Sequence, residues 1–152
     1  MIITALPGAN LRHIARLVMM TTALMLSAGA AHAVEPVNTN NSGCAIGGYD
    51  PVAYFIDDGP AKGTADFSYQ WNGATWLFTS AEHRDLFADD PPAYASQYGG
   101  WCSWAVAHGY TATIEPDAWD IVDGKLYLNF STFIQILWRL SPSRFIAYGN
   151  AY

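Results

Sequence analysis

Residues 67–78 read FSYQWNGATWLF, and this stretch decides the fold. Phe67, Tyr69 and Trp71 alternate with Ser68 and Gln70, the period of a half-buried strand. Trp76 and Phe78 repeat that spacing beyond a break. The break is Asn72-Gly73, the pair that best tolerates the positive φ angles of a two-residue type I′ turn. A β-hairpin is predicted. The same grammar returns at Trp119-Asp120-Ile121-Val122, then Asp123-Gly124, then Lys125-Leu126-Tyr127-Leu128, predicting a second hairpin.

Helical signals fill the space around the hairpins. Thr79-Ser80-Ala81-Glu82 fits a capping box, with Thr79 accepting from the third amide and Glu82 reaching back. The helix it opens is expected to run to about Asp89, bury Leu86 and Phe87, and stop before Pro91-Pro92. Gly99-Gly100 precedes a small-and-aromatic segment, Trp101 to His108, expected as a buried helix ending at Gly109. Ser131 to Tyr148 is expected to be helical with a break at Pro142, and Phe133, Ile134, Ile136, Leu137 and Leu140 supply its apolar face. Upstream, Gly47-Gly48-Tyr49-Asp50-Pro51 is turn-forming, Val52-Ala53-Tyr54-Phe55 is a short strand candidate, and Asp57-Asp58-Gly59-Pro60 breaks the chain. The expected class is α+β: a small antiparallel sheet built from two tight hairpins, with helices packed on it.

The first 33 residues have the layout of a cleavable export signal. Arg12, His13 and Arg16 precede an uncharged apolar run from Leu17 to Ala31, and Ala31-His32-Ala33 is a small-x-small cleavage pattern. The run is shorter than a spanning helix and is softened by Thr21, Thr22 and Ser27. Cleavage is expected after Ala33, leaving residues 34–152 periplasmic or secreted with no membrane anchor. Residues 34–44 are polar and are expected to be a flexible lead-in, with order beginning near Ala45. Removing Arg12 and Arg16, with no acid beside them, takes the net charge from −6 to −8. So acidic a chain excludes nucleic acid as a partner, because phosphates demand Lys and Arg.

The chemistry-bearing residues are few. Beyond residue 33 there are two cysteines, Cys44 and Cys102, and two histidines, His83 and His108. No GxSxG, HExxH, CxxC or glycine-rich phosphate loop occurs, and no nucleophile–base pair can be named, so no enzyme is expected. Cys102 lies between Trp101 and Trp104 and has three readings. It is a buried small hydrophobe, a thiolate metal ligand with His83 or His108, or one half of a disulfide to Cys44. The metal pair Cys102–His108 needs the helix to end early, since six residues at ~100° place the two about 120° apart. The disulfide would close a 58-residue loop and stabilise by about 4 kcal/mol.

Several segments together resemble a known family. Ala45-Ile46-Gly47-Gly48-Tyr49-Asp50-Pro51-Val52-Ala53-Tyr54-Phe55 is similar to the opening of the exported branch of the YHS domain family. Residues 71–82 (WNGATWLFTSAE), 84–87 (RDLF), 94–102 (YASQYGGWC) and 122–129 (VDGKLYLN) resemble its later segments in order. The resemblance covers about Ala45 to Tyr148, so 45–152 is taken as a YHS-like domain. It implies a place beside copper and heavy-metal handling, with cysteine ligands after Asp-Pro-Val and at the start of the central helix. Those positions hold Ala53, Thr79 and His83 here, whereas Cys102 falls where the exported branch carries a cysteine. Cys44 is an addition to that pattern.

Two functions are therefore expected. One is a non-catalytic exported domain with an accessory metal site, copper most of all or zinc, around Cys102 with His83 or His108; thiolate and imidazole suit both metals. The other is a metal-free module that binds an unidentified protein or small ligand, its cysteines structural and its contact surface the Tyr and Trp side chains around Gly99-Gly100.

Overall fold

A computed structural model describes residues 36–151; the expected export signal lies outside them. Both hairpins form as their turns dictate. β1 (Thr64–Trp71) pairs antiparallel with β2 (Ala74–Phe78), and β3 (Glu115–Val122) with β4 (Lys125–Asn129). Asn72-Gly73 (φ 50° and 78°) and Asp123-Gly124 (φ 52° and 72°) supply the left-handed pairs of type I′ turns. The hairpins do not merge: each is its own two-stranded sheet. Each also breaks register toward its open end, between Thr64 and Ser68 and between Glu115 and Trp119. With the helices, the fold is α+β.

One core joins the two sheets. Trp76 and Phe78 from β2 and Leu126 and Leu128 from β4 are buried in a single cluster with Ile46, Val52, Tyr54 and Phe87. The Phe87 ring lies 5.0–6.2 Å from the rings of Tyr69, Trp71, Trp76 and Phe78. Phe87 comes from α2 (Ala81–Asp89), which follows the first hairpin directly.

Three expectations at the element level are corrected. Val52-Ala53-Tyr54-Phe55 is not a strand; α1 (Ala53–Ile56) is a single helical turn. Asp50 starts it, its Oδ1 accepting from the N–H groups of Val52 (2.8 Å) and Ala53 (3.3 Å). The N-cap of α2 is Ser80 rather than Thr79, and its Oγ accepts from the His83 N–H at 3.1 Å. Thr79 is unavailable because its N–H and its hydroxyl both donate to Asp50 Oδ2, each at 2.9 Å. The helix expected over 101–108 is only α4 (Ser103–Ala107). Cys102 is held outside it by donating its N–H to Ala112 O at 2.9 Å. Between α2 and α4 stands α3 (Pro91–Tyr94), a short turn opened by the two prolines.

The lead-in is docked well before Ala45. Val37 is buried, and the Asn38 N–H and Nδ2 donate to the carbonyls of Gly99 (2.9 Å) and Gly100 (3.0 Å). A Cβ on Gly99 would run into Pro36 O, so the bare backbone at Gly99 is what lets this segment approach. The segment therefore packs on Gly99-Gly100, amid the half-buried Tyr98, Trp101 and Trp104 side chains expected as a contact surface.

The C-terminal helix breaks at Pro142 into α5 (Thr132–Arg139) and α6 (Pro142–Gly149). α5 buries Gln135 and Trp138, while Phe133, Ile136 and Leu140 stand exposed. Its most apolar face points outward. No helix among the described residues is long and apolar enough to cross a membrane.

Candidate functional site

The densest polar arrangement is built on Asp50, whose side chain is fully buried. Oδ1 caps the turn into α1. Oδ2 accepts from Thr79 twice and from His83 Nδ1 at 2.7 Å. The loop before α1, the end of β2 and the first turn of α2 thus converge on one carboxylate. Facing a carboxylate, Nδ1 donates, so Nε2 is the ring nitrogen left for any other partner. His83 is 8% exposed, and no group among the described residues engages Nε2.

In this pair a carboxylate orients an imidazole through Nδ1, and among the described residues no hydroxyl or thiol is hydrogen-bonded to Nε2. The Thr79 hydroxyl lies on the wrong edge of the ring, 3.2 Å from Nδ1, and already donates to Asp50. An attacking hydroxyl would have to face Nε2.

Cys102 is shut away elsewhere. It is 1% exposed, and its Sγ accepts the N–H of Phe130 at 3.2 Å. The thiol stands 3.9 Å from Asn129 Oδ1, which also accepts from the Trp104 N–H at 3.2 Å. Sulfur and amide together tie the start of α4 to the end of β4. Asn129 Nδ2 and the Ser103 hydroxyl, both buried beside this junction, have no hydrogen-bond partner among the described residues. Cys44 and Cys102 are both free thiols, so the disulfide reading does not hold in this structure.

His108 is the C-cap of α4 and is exposed. Its Nδ1 donates to Trp104 O at 2.7 Å, and its ring lies against Trp104 and Phe145 at centroid distances of 4.6 and 6.0 Å. The three residues expected to share a metal are thus engaged at three different sets of partners. Among the described residues, no group of three or more His, Cys, Asp or Glu side chains stands together as a metal cage. Asp50, the partner of His83, was missed because a turn aspartate looks like a solvated one. No signal within either segment marks the pairing, because Asp50 and His83 lie 33 positions apart.

A cleft of about 290 Å³ opens between the docked lead-in and the 46–49 turn. Asn38, Asn40, Tyr49, Lys62 and Thr113 line it. Lys62 is fixed across its edge: Nζ donates to Gly47 O at 2.6 Å and sits 4.3 Å above the Tyr49 ring.

No protein family, curated protein or solved structure matched the chain when it was compared with each.

Proposed function

We propose that this chain is an exported, non-catalytic binding module of the YHS-like kind, working outside the cytoplasm, with Cys102 in a structural role. One observation carries the reading. The Cys102 sulfur is closed off from solvent and already accepts a backbone N–H, so a soft cation would have to displace that bond and open the β4–α4 junction. The cleft beside Lys62 offers such a module a polar place for a small ligand.

The test is thiol reactivity together with copper titration. In the folded protein a thiol reagent should label Cys44 and leave Cys102 untouched until denaturant is added. Cu(I) affinity should then be the same in the parent and in Cys102→Ser. Native labelling of Cys102 at the Cys44 rate, with a tenfold or greater loss of Cu(I) affinity in Cys102→Ser, would overturn the reading.

A second reading, an accessory copper or zinc site, is favoured by His83. A carboxylate behind Nδ1 is the arrangement that orients an imidazole toward a metal through its other nitrogen. The ion would draw its remaining ligands from solvent, which makes for weak binding. His83→Gln should abolish zinc or copper binding under this reading and leave it unchanged under the first.

A further inference from the structure

We propose that α5 is a self-association surface, pairing two-fold with α5 of a second copy through Phe133, Ile136 and Leu140. These side chains are 66%, 57% and 77% exposed, and Phe130, just before the helix, is 53% exposed. At ~100° per residue, positions 133, 136 and 140 fall within an arc of about 60°, so they form one continuous stripe. Isolated exposed apolar residues are ordinary, but a contiguous row of this kind marks an interaction surface.

The stripe cannot be hidden by rolling the helix. The opposite face is fastened: Gln135 Nε2 donates to Trp119 O and to Asp120 Oδ2, and Arg139 pairs with Asp120 at 2.7 Å. Trp138 is buried on the same side. Rotation would break all of these at once.

Charge and spacing name the occupant. All 13 acidic residues precede Ser131, and residues 131–152 carry Arg139 and Arg144 with no acid. The body from 34 to 130 has three basic residues against those 13 acids, a net −10. In space, Glu115 and Asp120 contact α5 and are matched in number by Arg139 and Arg144, so this face is near neutral and repulsion between two copies is least across it. The stripe is also self-complementary: Phe133 lies three residues before Ile136 and Leu140 four after it. An antiparallel pairing with the axis at Ile136 sets Ile136 on its equivalent and Phe133 against Leu140 of the other copy, as an isologous contact requires. A lipid surface fits less well. Arg139 is already neutralised by Asp120, and the −10 body would face the anionic headgroups.

The four side chains offer on the order of 450 Å² per copy, against roughly 800 Å² in a standard stable interface. The dimer is accordingly weak and reversible. Sedimentation velocity of the purified exported protein should show its mass rising toward twice the monomer value as concentration rises. Leu140→Glu should weaken the association at least tenfold with an unchanged circular dichroism spectrum, whereas Ile56→Ser, at another exposed aliphatic position (53%), should not alter it. In a Cys44→Ser background, Ile136→Cys should oxidise to a linked dimer much faster than Ile56→Cys. A protein that stays monomeric throughout, or a dimer indifferent to Leu140→Glu, overturns the proposal. Monomers that instead co-sediment with phosphatidylglycerol vesicles would assign the stripe to lipid and overturn it too.

Discussion

Asp50 has two oxygens and five donors to serve: the N–H groups of Val52, Ala53 and Thr79, the Thr79 hydroxyl and His83 Nδ1. Removing it strands all five in a buried setting, where each unpaired group costs about 1–3 kcal/mol less whatever water can reach. Asp50→Ala should therefore lower unfolding stability by about 3–5 kcal/mol, read from the urea midpoint at constant slope. Asp50→Asn should rescue little, because its amide turns donors toward donors already present. His83→Ala should cost less than Asp50→Ala, since it leaves four of the five bonds in place. At this scale the sequence was least legible. Cys102, His83 and His108 attract attention by residue type, but type says nothing about partners separated by many residues. The distance that matters, His83 to Asp50, spans 33 positions, and no local pattern encodes it.

Elements defined by local chemistry were legible, and those defined by contact were not. Asn72-Gly73 and Asp123-Gly124 act on their own backbone, so both hairpins follow from the sequence. The α2 cap slipped by one residue because a remote carboxylate claimed Thr79. The lead-in docks unexpectedly because its polar composition hides Val37, whose side chain enters the core. Its docking depends on the bare backbone at Gly99, which stands at φ +62°. Gly99→Ala should push Pro36 and Val37 off that backbone and cost about 1–3 kcal/mol through strain and lost burial. Hydrogen exchange should then quicken at Asn38 and Ile46, whose N–H groups donate to Gly99 O and Asn38 O, and stay unchanged in the β3–β4 hairpin. Equal exchange in both proteins would mean that the segment is held by something other than this approach.

Across the whole molecule, three tyrosines make stability depend on alkaline pH. Burial raises the Tyr54 hydroxyl well above its ordinary value, with Tyr49, Asp117 and Asp50 adding to the effect. Burial and then Tyr127 push Tyr98 up to about 12, and burial and then Asp123 raise Tyr127. Their positions explain the reach of the effect. Tyr54 donates to Pro116 O at 3.2 Å, linking α1 to β3, and the Tyr98 hydroxyl meets Ile146 O (3.2 Å) and Asn150 Oδ1 (3.1 Å) at α6. In the unfolded chain each titrates near the ordinary tyrosine value of about 10. Between that pH and the folded values, the unfolded state has given up protons that the folded state still holds. Unfolding is thus favoured as pH rises. Stability should be flat below about pH 10 and fall steeply from there toward 12, with no matching loss from these groups on the acid side. Urea midpoints across that range measure it. Tyr98→Phe removes one of the differing protons, so its stability should decline with a shallower slope than the parent's. A parent curve that stays flat through pH 11, or a Tyr98→Phe curve parallel to it, would show that these hydroxyls ionise as freely folded as unfolded.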